Sequence, residues 1–230
     1  MIDHIAVALC RGARRRPTIA TQLNDGGAYP HTKATREDWL RVALDTLISD
    51  GVEQVKVMPL AVKLSVSRSS FYWYFKSRQD LLTALLDIWR DTNTKAIVDQ
   101  SALASRTIGE GVFNIFQCWV DERLFDPRLD FAVREWARRS GPVRRVVDMA
   151  DEERVAAIKA LFLRHGYEDT DAFVRARVLY FMQIGYYALE LNESLEYRAR
   201  YSAAYVRSFT GVEPEERDVA RFLKHFNARG

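Results

Sequence analysis

Residues 65–76 carry side chains that are suited to contact a nucleic acid. The stretch SVSRSSFYWYF, residues 65–75, places five aromatic rings in consecutive positions after a run of small hydroxyls. Neither a helix nor a strand can bury five adjacent rings on one face, so some of them must face outward. Arg68 can bond two guanine acceptors at once. Hydroxyls and Lys76 can hold phosphates without reading sequence.

On a helix that begins at Arg68, with Ser67 as its N-cap, the rings separate into two faces. Phe71 and Phe75 are four residues apart and should pack inward, while Trp73 turns to the other side with Arg68. The amino end of the next helix offers a further phosphate site. The predicted DNA-contacting residues are Lys56, Ser67, Arg68, Ser69, Ser70, Tyr72, Trp73, Tyr74, Lys76 and Arg78.

Positive charge is concentrated around this stretch. The whole chain has 230 residues and a net charge of +3, which identifies no partner by itself. From position 56 to position 78, however, there are five basic residues and no acidic one. The pattern favours a surface that meets phosphates over a merely packed helical corner.

The rest of the composition argues against several other classes of protein. No apolar run approaches the roughly 20 residues of a membrane span. Cys10 and Cys118 are far apart, which is typical of a reducing compartment, so we expect a cytoplasmic protein. The four histidines are scattered, and the common nucleotide-binding and hydrolase motifs are missing. We therefore expect no metal, no cofactor, no membrane contact and no enzymatic activity.

The elements that must position these side chains are helical throughout. Apolar residues recur at helical spacing from residue 35 onward, with no hairpin signal and no repeat. Short helices are expected at 57–64 and 68–75, a longer one before Gly51, and a fourth from Ser77. Further helices are predicted at 106–125, 128–139, 142–165, 171–192, 195–210 and 214–228.

Three segments follow from this pattern. Residues 1–34 lack periodicity and contain RGARRRP, so they are predicted to form a flexible basic arm. Residues 35–89 form a small helix-turn-helix unit, and residues 90–230 form a larger helical unit. The predicted fold is all-α, with an N-terminal three-helix helix-turn-helix domain and a C-terminal helical bundle.

Residues 35–89 resemble the DNA-binding domain of the TetR family of bacterial transcriptional regulators. The resemblance is carried by TREDWLRVALDTLISDG, by LAVKLSVSRSSFYWYF and by KSRQDLLTALL, in that order and at the family's spacing. It covers about a quarter of the chain. It implies a sequence-specific regulator whose partners are operator DNA, a second copy of the chain and an unidentified small-molecule effector.

Three positions depart from the family's usual pattern. Ser65 replaces the turn glycine, and if its φ is positive it should cost up to about 1 kcal/mol relative to Gly. Lys56 replaces the common cap threonine, and Ser69 replaces a frequent glycine of the recognition helix. We expect these changes to alter the choice of operator rather than to abolish binding.

The resemblance further implies that the C-terminal unit dimerises and binds the effector. Residues 173–191 are too apolar for a surface helix, and an intramolecular core remains the alternative to a dimer face. The dimer candidates are Phe181, Gly185, Leu189, Tyr201, Tyr205 and Phe209. The effector-pocket candidates are Phe116, Trp119, Trp136, Tyr180 and Tyr186.

These observations favour a homodimeric repressor that an effector releases from a near-palindromic operator. Two alternatives stay open at this point. One is a DNA-binding activator, or a regulator that a partner protein controls without a small-molecule ligand. The other is a small all-helical enzyme whose catalytic residues are distant in sequence.

Overall fold

The computed structural model describes residues 34–191 and 193–227, and within those ranges the chain forms eleven α-helices and no strand. The predicted all-α class, with a helix-turn-helix unit followed by a helical region, is confirmed. The predicted arm, residues 1–34, lies outside the described residues except for Ala34. In the described part, no helix has both the length and the apolar character needed to cross a membrane.

The helices follow one another through short connections. Their bounds are α1 Arg36–Asp50, α2 Val57–Lys63, α3 Arg78–Trp89, α4 Lys95–Ala102, α5 Ile108–Val120, α6 Pro127–Ala137, α7 Gly141–Arg164, α8 Asp169–Ala188, α9 Leu195–Arg200, α10 Ser202–Thr210 and α11 Glu216–Asn227. Two 3₁₀ helices cover Val52–Gln54 and Arg68–Trp73, and one π-helical turn covers Arg90–Thr94. We call Arg68–Trp73 the recognition segment.

Helix α1 begins directly after Thr35, which is its N-cap. Thr35 accepts a hydrogen bond from the backbone N–H of Asp38, and the Asp38 carboxylate accepts one from the Thr35 N–H in return. This reciprocal pair satisfies two donors that a helix start leaves open. The helix ends at Gly51, whose φ of 81° suits a residue without a side chain.

Two parts of the C-terminal prediction differ from the structure. The single helix predicted at 195–210 is divided into α9 and α10 at Tyr201, where the backbone has φ −100° and ψ 3°. Helix α4 and the π-helical turn before it were not predicted. Asn93 and Thr94 of that turn are buried, and the Asn93 side chain exchanges hydrogen bonds with the backbone of Asp126.

The hydrophobic core consists of two clusters that do not follow the predicted boundary at residue 89. The first joins α1, α2, the recognition segment and α3 to α6 and the first half of α7, through residues such as Leu129 and Val147. The second is formed by α4, α5, the second half of α7, α8, α10 and α11. The helix-turn-helix unit therefore shares a continuous core with part of the C-terminal unit.

A buried polar cluster lies where the two hydrophobic clusters meet. Asp130 of α6 accepts hydrogen bonds from Trp89 of α3, from Arg154 of α7 and from Arg134 of its own helix. Arg154 also donates to Thr94 and to the Tyr180 hydroxyl of α8. Burial by itself raises the pKa of Asp130, but the two guanidinium groups outweigh it and hold that pKa below its ordinary value.

Candidate nucleic-acid interface

The recognition segment is a 3₁₀ helix rather than the predicted α-helix. It covers Arg68–Trp73, and its end is closed by bonds from the Tyr74 and Phe75 N–H groups to the Phe71 carbonyl. Ser67 stands at the N-cap, as predicted, but its side chain makes no capping bond. The segment is short, and 3₁₀ geometry is common in such short pieces.

Two rings of the stretch fix the recognition segment to the core. Phe71 and Phe75 are buried and stacked with their centroids 5.2 Å apart. Trp39 of α1 meets Phe71 edge to face at 5.2 Å, and the Arg36 guanidinium lies over the Phe75 ring. The predicted inward face is confirmed. Because it is anchored, the opposite face is held in a defined orientation.

The remaining three rings lie on the outer face. Trp73 is 70% exposed, and Tyr72 and Tyr74 are also exposed. The Arg68 guanidinium donates to the Tyr72 hydroxyl over 3.0 Å and lies 5.8 Å from the centre of that ring. Arg68 is thus both exposed and partly pre-oriented, and this would reduce the conformational entropy lost on bonding a base.

The hydroxyls at the start of the segment form a small network. The Ser67 and Ser69 hydroxyls are 2.8 Å apart, and the Ser70 hydroxyl donates to the Ser67 carbonyl over 2.8 Å. Ser67 and Ser69 are exposed, while Ser70 is partly buried. These hydroxyls lie together beside Arg68, where they can donate hydrogen bonds to a phosphate.

The five basic residues of positions 56–78 do not all face outward. Lys56 and Lys76 are exposed beside the recognition segment. Lys63, by contrast, donates to the Thr46 hydroxyl and pairs with Asp50. Arg78 donates to the backbone carbonyls of Val52 and Val55 over 2.7 and 2.5 Å. Arg78, one of the predicted contacts, therefore has two of its donors committed within the chain.

The amino end of α3 is also capped from within. The Ser77 side chain accepts from the Asp80 N–H over 3.1 Å, and the Asp80 carboxylate accepts from the Lys76 N–H over 2.8 Å. An acid in the first turn suits the helix dipole but repels a second anion. A phosphate at this end would have to be held by donors that Asp80 does not already occupy.

The turn between α2 and the recognition segment contains a strained residue. Ser65 has φ 56°, in the left-handed region that glycine adopts without cost. We expect Ser65→Gly to raise the free energy of unfolding by up to about 1 kcal/mol, because relief of the backbone strain outweighs the entropy that glycine adds to the unfolded chain. Urea unfolding of the two proteins measures the difference. Ser65→Val should destabilise, and a stabilising valine would contradict the strain.

The comparisons with known proteins agree with this geometry. Residues 40–85 match the family model described as bacterial regulatory proteins, tetR family. The match identifies this part of the chain as a TetR-type DNA-binding domain. Among solved structures, Salmonella enterica GusR is similar in fold, with a TM-score of 0.53 and 14% identity over 83% of this chain and 92% of that one. A comparison with curated proteins gives no match. A domain of this type supports a DNA-binding regulator.

The predicted effector residues of the C-terminal part lie in three places. Phe116, Trp119 and Tyr186 line a cavity of about 60 Å³ between α5, α8, α9, α10 and α11, which we call the inner cavity. Trp136 lines a larger cleft of about 860 Å³, the outer cleft, between the end of α1 and helices α6 and α8. Tyr180 lines neither, because it is buried with its hydroxyl in the polar cluster.

The polar residues of the inner cavity were not predicted. Gln183 and Ser202 are each 4% exposed, and Gln183 Nε2 and Ser202 Oγ have no hydrogen-bond partner. Arg198, from α9, lines both the inner cavity and the outer cleft. Gln183 could have been found from the sequence, because it is a polar residue within the apolar run 173–191 and lies on the same helical stripe as Leu179 and Tyr180.

The predicted dimer residues lie mostly on an exposed apolar face. Phe181 of α8 and Leu189 just after it are exposed, as are Tyr201 just before α10 and Tyr205 within it. A Cβ added to Gly185 would meet no atom within 4 Å, so open space lies beside it. Phe209 differs, because it is 5% exposed and packs against Phe116 in the second core cluster. Its side chain has little surface left for a partner.

Proposed function

We propose that the chain is a homodimeric repressor, acting in the bacterial cytoplasm, that a small molecule releases from a near-palindromic operator. The observation that carries this proposal is that the same chain has two distinct exposed surfaces. One is the recognition segment with its exposed Arg68 and Trp73. The other is the exposed apolar face of α8 and α10. Two recognition segments in a symmetric dimer would meet successive major grooves about 34–36 Å apart.

The apolar face is formed by exposed side chains of α8 and α10 and of the residues next to them. On α8, Phe173 and Phe181 are exposed rings, and the Arg177 guanidinium lies over them at 5.4 and 4.8 Å. The exposed apolar residues of this face are Phe173, Val174, Val178, Phe181, Leu189, Tyr201 and Tyr205. Contiguous exposed apolar surface with a polar margin marks an interaction site. Two such helices from each copy would form a four-helix interface.

Gly185→Glu should separate the dimer without harming the monomer. The open space beside Gly185 accepts a side chain, and glutamate is a better helix former than glycine by about 0.5–1 kcal/mol. In a dimer, the same side chain would place an unpaired charge in an apolar interface. We expect a monomer by light scattering and at least a tenfold loss of operator affinity, because two linked half-sites bind far better than one.

Gly141→Glu is the matched control for this change. Gly141 is an exposed helical glycine at the start of α7, away from the apolar face, and an acid there suits the helix dipole. It should leave the molecular mass and the operator affinity unchanged. If both variants remained dimers, the α8–α10 face would not be the interface.

The effector part of the proposal is supported by the path between the inner cavity and the recognition segment. Tyr186 and Gln183 of the cavity wall lie on α8, the helix whose Tyr180 joins the buried polar cluster. That cluster holds Trp89 at the end of α3, and α3 begins directly after the recognition segment. A ligand that binds the DNA-incompetent arrangement more tightly would shift the population toward it.

The experiment that tests the proposal is selection of bound duplexes from a random DNA pool by the purified protein at physiological salt. A two-fold symmetric motif is expected. Recovery of a single unpaired half-site would contradict the dimeric arrangement, and recovery of no sequence above the non-specific level would contradict sequence-specific binding by the protein alone. The selected duplex then serves as the probe for repression and release in a reporter assay.

A further inference from the structure

The inner cavity has a chemical character that narrows the class of its ligand, and this inference builds on the effector role proposed above. Its walls are aromatic, with Phe116, Trp119, Tyr205 and Phe222 around the space. The face of a flat aromatic molecule fits such walls, because ring pairs add about 0.5–1.5 kcal/mol beyond the area that they bury. The cavity therefore favours a planar aromatic compound.

Two polar atoms in the wall of the cavity, Gln183 Nε2 and Ser202 Oγ, have no hydrogen-bond partner. Gln183 Nε2 has no hydrogen-bond acceptor. Burial raises the pKa of the Tyr187 phenol, and the Gln183 amide, which lies close to that phenol, opposes the rise. Ser202 Oγ is likewise buried and unpartnered. Buried polar atoms are normally hydrogen-bonded, and each one left unpaired costs about 1–3 kcal/mol. Both atoms have almost no accessible surface, so a ligand acceptor would reach them after a small side-chain shift and would then remove that cost.

The charged residues of the cavity point to an anion. Arg198 lies with its guanidinium 4.6 Å from the centre of the Tyr186 ring, an arrangement that leaves the donors at its edge able to bond a ligand. Glu193 is the acidic residue among those lining the cavity, and it already accepts the Tyr186 hydroxyl over 2.9 Å. Burial and that hydrogen bond raise the pKa of Tyr186 to about 12, so its hydroxyl remains a donor to Glu193 at neutral pH.

We infer that the inner cavity binds a small aromatic carboxylate, with its ring among the aromatic walls and its carboxylate toward Arg198, Ser202 and Gln183. Arginine binds carboxylates through two parallel hydrogen bonds, which a neutral or cationic ligand group does not accept equally well. The volume of about 60 Å³ sets a size limit. A cavity that fully encloses benzene has about 150 Å³, so at most one ring enters here and part of the ligand stays at the rim, where Tyr205 is exposed.

The test uses the full chain without DNA and three probes of nearly equal shape, namely benzoate, benzamide and benzylamine. Titration calorimetry should show binding of benzoate, weaker binding of benzamide and the weakest binding of benzylamine. Arg198→Met should raise the benzoate dissociation constant about tenfold or more, because a charge-assisted hydrogen bond is lost while the apolar stem is kept. Arg200→Met is the control, since Arg200 is an exposed residue of the same helix that does not line the cavity.

Three outcomes would overturn the inference. They are no benzoate binding, tighter binding of benzylamine than of benzoate, and equal effects of the two arginine variants. The proposed function is tested separately by adding benzoate to the complex with the selected duplex. If benzoate binds through Arg198 but leaves DNA affinity unchanged, the ligand class is correct and the release mechanism is wrong. If benzoate does not bind while the duplex does, the ligand class is wrong and the DNA-binding role is unaffected.

Discussion

Asp130→Asn is expected to lower the free energy of unfolding by about 3–5 kcal/mol, the cost of breaking a buried ion pair by removing one partner. Asp130 is 2% exposed and accepts from Trp89, Arg134 and Arg154. Asparagine keeps the size but removes the ion-pair partner of the buried Arg154, whereas Arg134 keeps its pair with Asp151. Because natural domains have only about 5–15 kcal/mol of stability, chemical denaturation should show a large shift in midpoint.

Asp148→Asn is the matched control for that change. Asp148 pairs with Arg144 one turn away on α7, and both side chains are largely exposed. Surface pairs of this kind contribute about 0.3–0.5 kcal/mol. A comparable loss in both variants would mean that the charge of Asp130 is not what stabilises the cluster.

The loss caused by Asp130→Asn should depend on pH in a defined direction. The folded protein holds the pKa of Asp130 below its ordinary value, so the carboxylate's contribution is fully present above about pH 4, the unfolded pKa. It is lost as the pH falls toward the folded pKa. The difference between wild type and variant should therefore be constant near neutrality and narrow in acid. A difference that widened in acid would contradict the assignment.

The helix-turn-helix unit could be predicted because its signals are local. The Thr35 cap and the spacing of Phe71 and Phe75 each depend on residues within one turn. The 3₁₀ geometry of the recognition segment was not predicted, since over six residues the apolar spacing of a 3₁₀ helix and an α-helix is nearly the same. The positive φ at Ser65 had been expected only conditionally, from the family's glycine at that position.

The features that could not be predicted depend on residues distant in sequence. The π-helical turn Arg90–Thr94 has the composition of a linker, but its polar side chains bond Asp126 and Arg154, 33 and 60 residues away. Arg78 was predicted to contact phosphate because it is basic, yet it bonds a carbonyl 26 residues earlier in the chain. Composition cannot distinguish a basic side chain that is available to bind phosphate from one that is hydrogen-bonded to a loop of its own chain.

Arg68→Ala is expected to weaken binding to the selected operator by about 1–3 kcal/mol, roughly 5–150-fold, and to relax the preference for one base pair in each half-site. The reason is geometric. Arg68 is exposed on the recognition segment, and the Tyr72 hydroxyl holds one of its guanidinium nitrogens at 3.0 Å while the rest of the fork stays open. Competition binding with operators altered one base pair at a time measures both effects.

Two lysine variants distinguish base-specific recognition from electrostatic attraction to the DNA phosphates. Lys76 is exposed, so Lys76→Ala should weaken all sequences alike and reduce the salt slope of binding by about one. Lys63 bonds Thr46 and Asp50 within the chain, so Lys63→Ala removes an equal charge but should leave the salt slope unchanged. If Arg68→Ala behaved like Lys76→Ala, losing affinity without losing base preference, Arg68 would be a phosphate contact. Sequence would then be read elsewhere on the exposed face, where Trp73 is the most exposed ring.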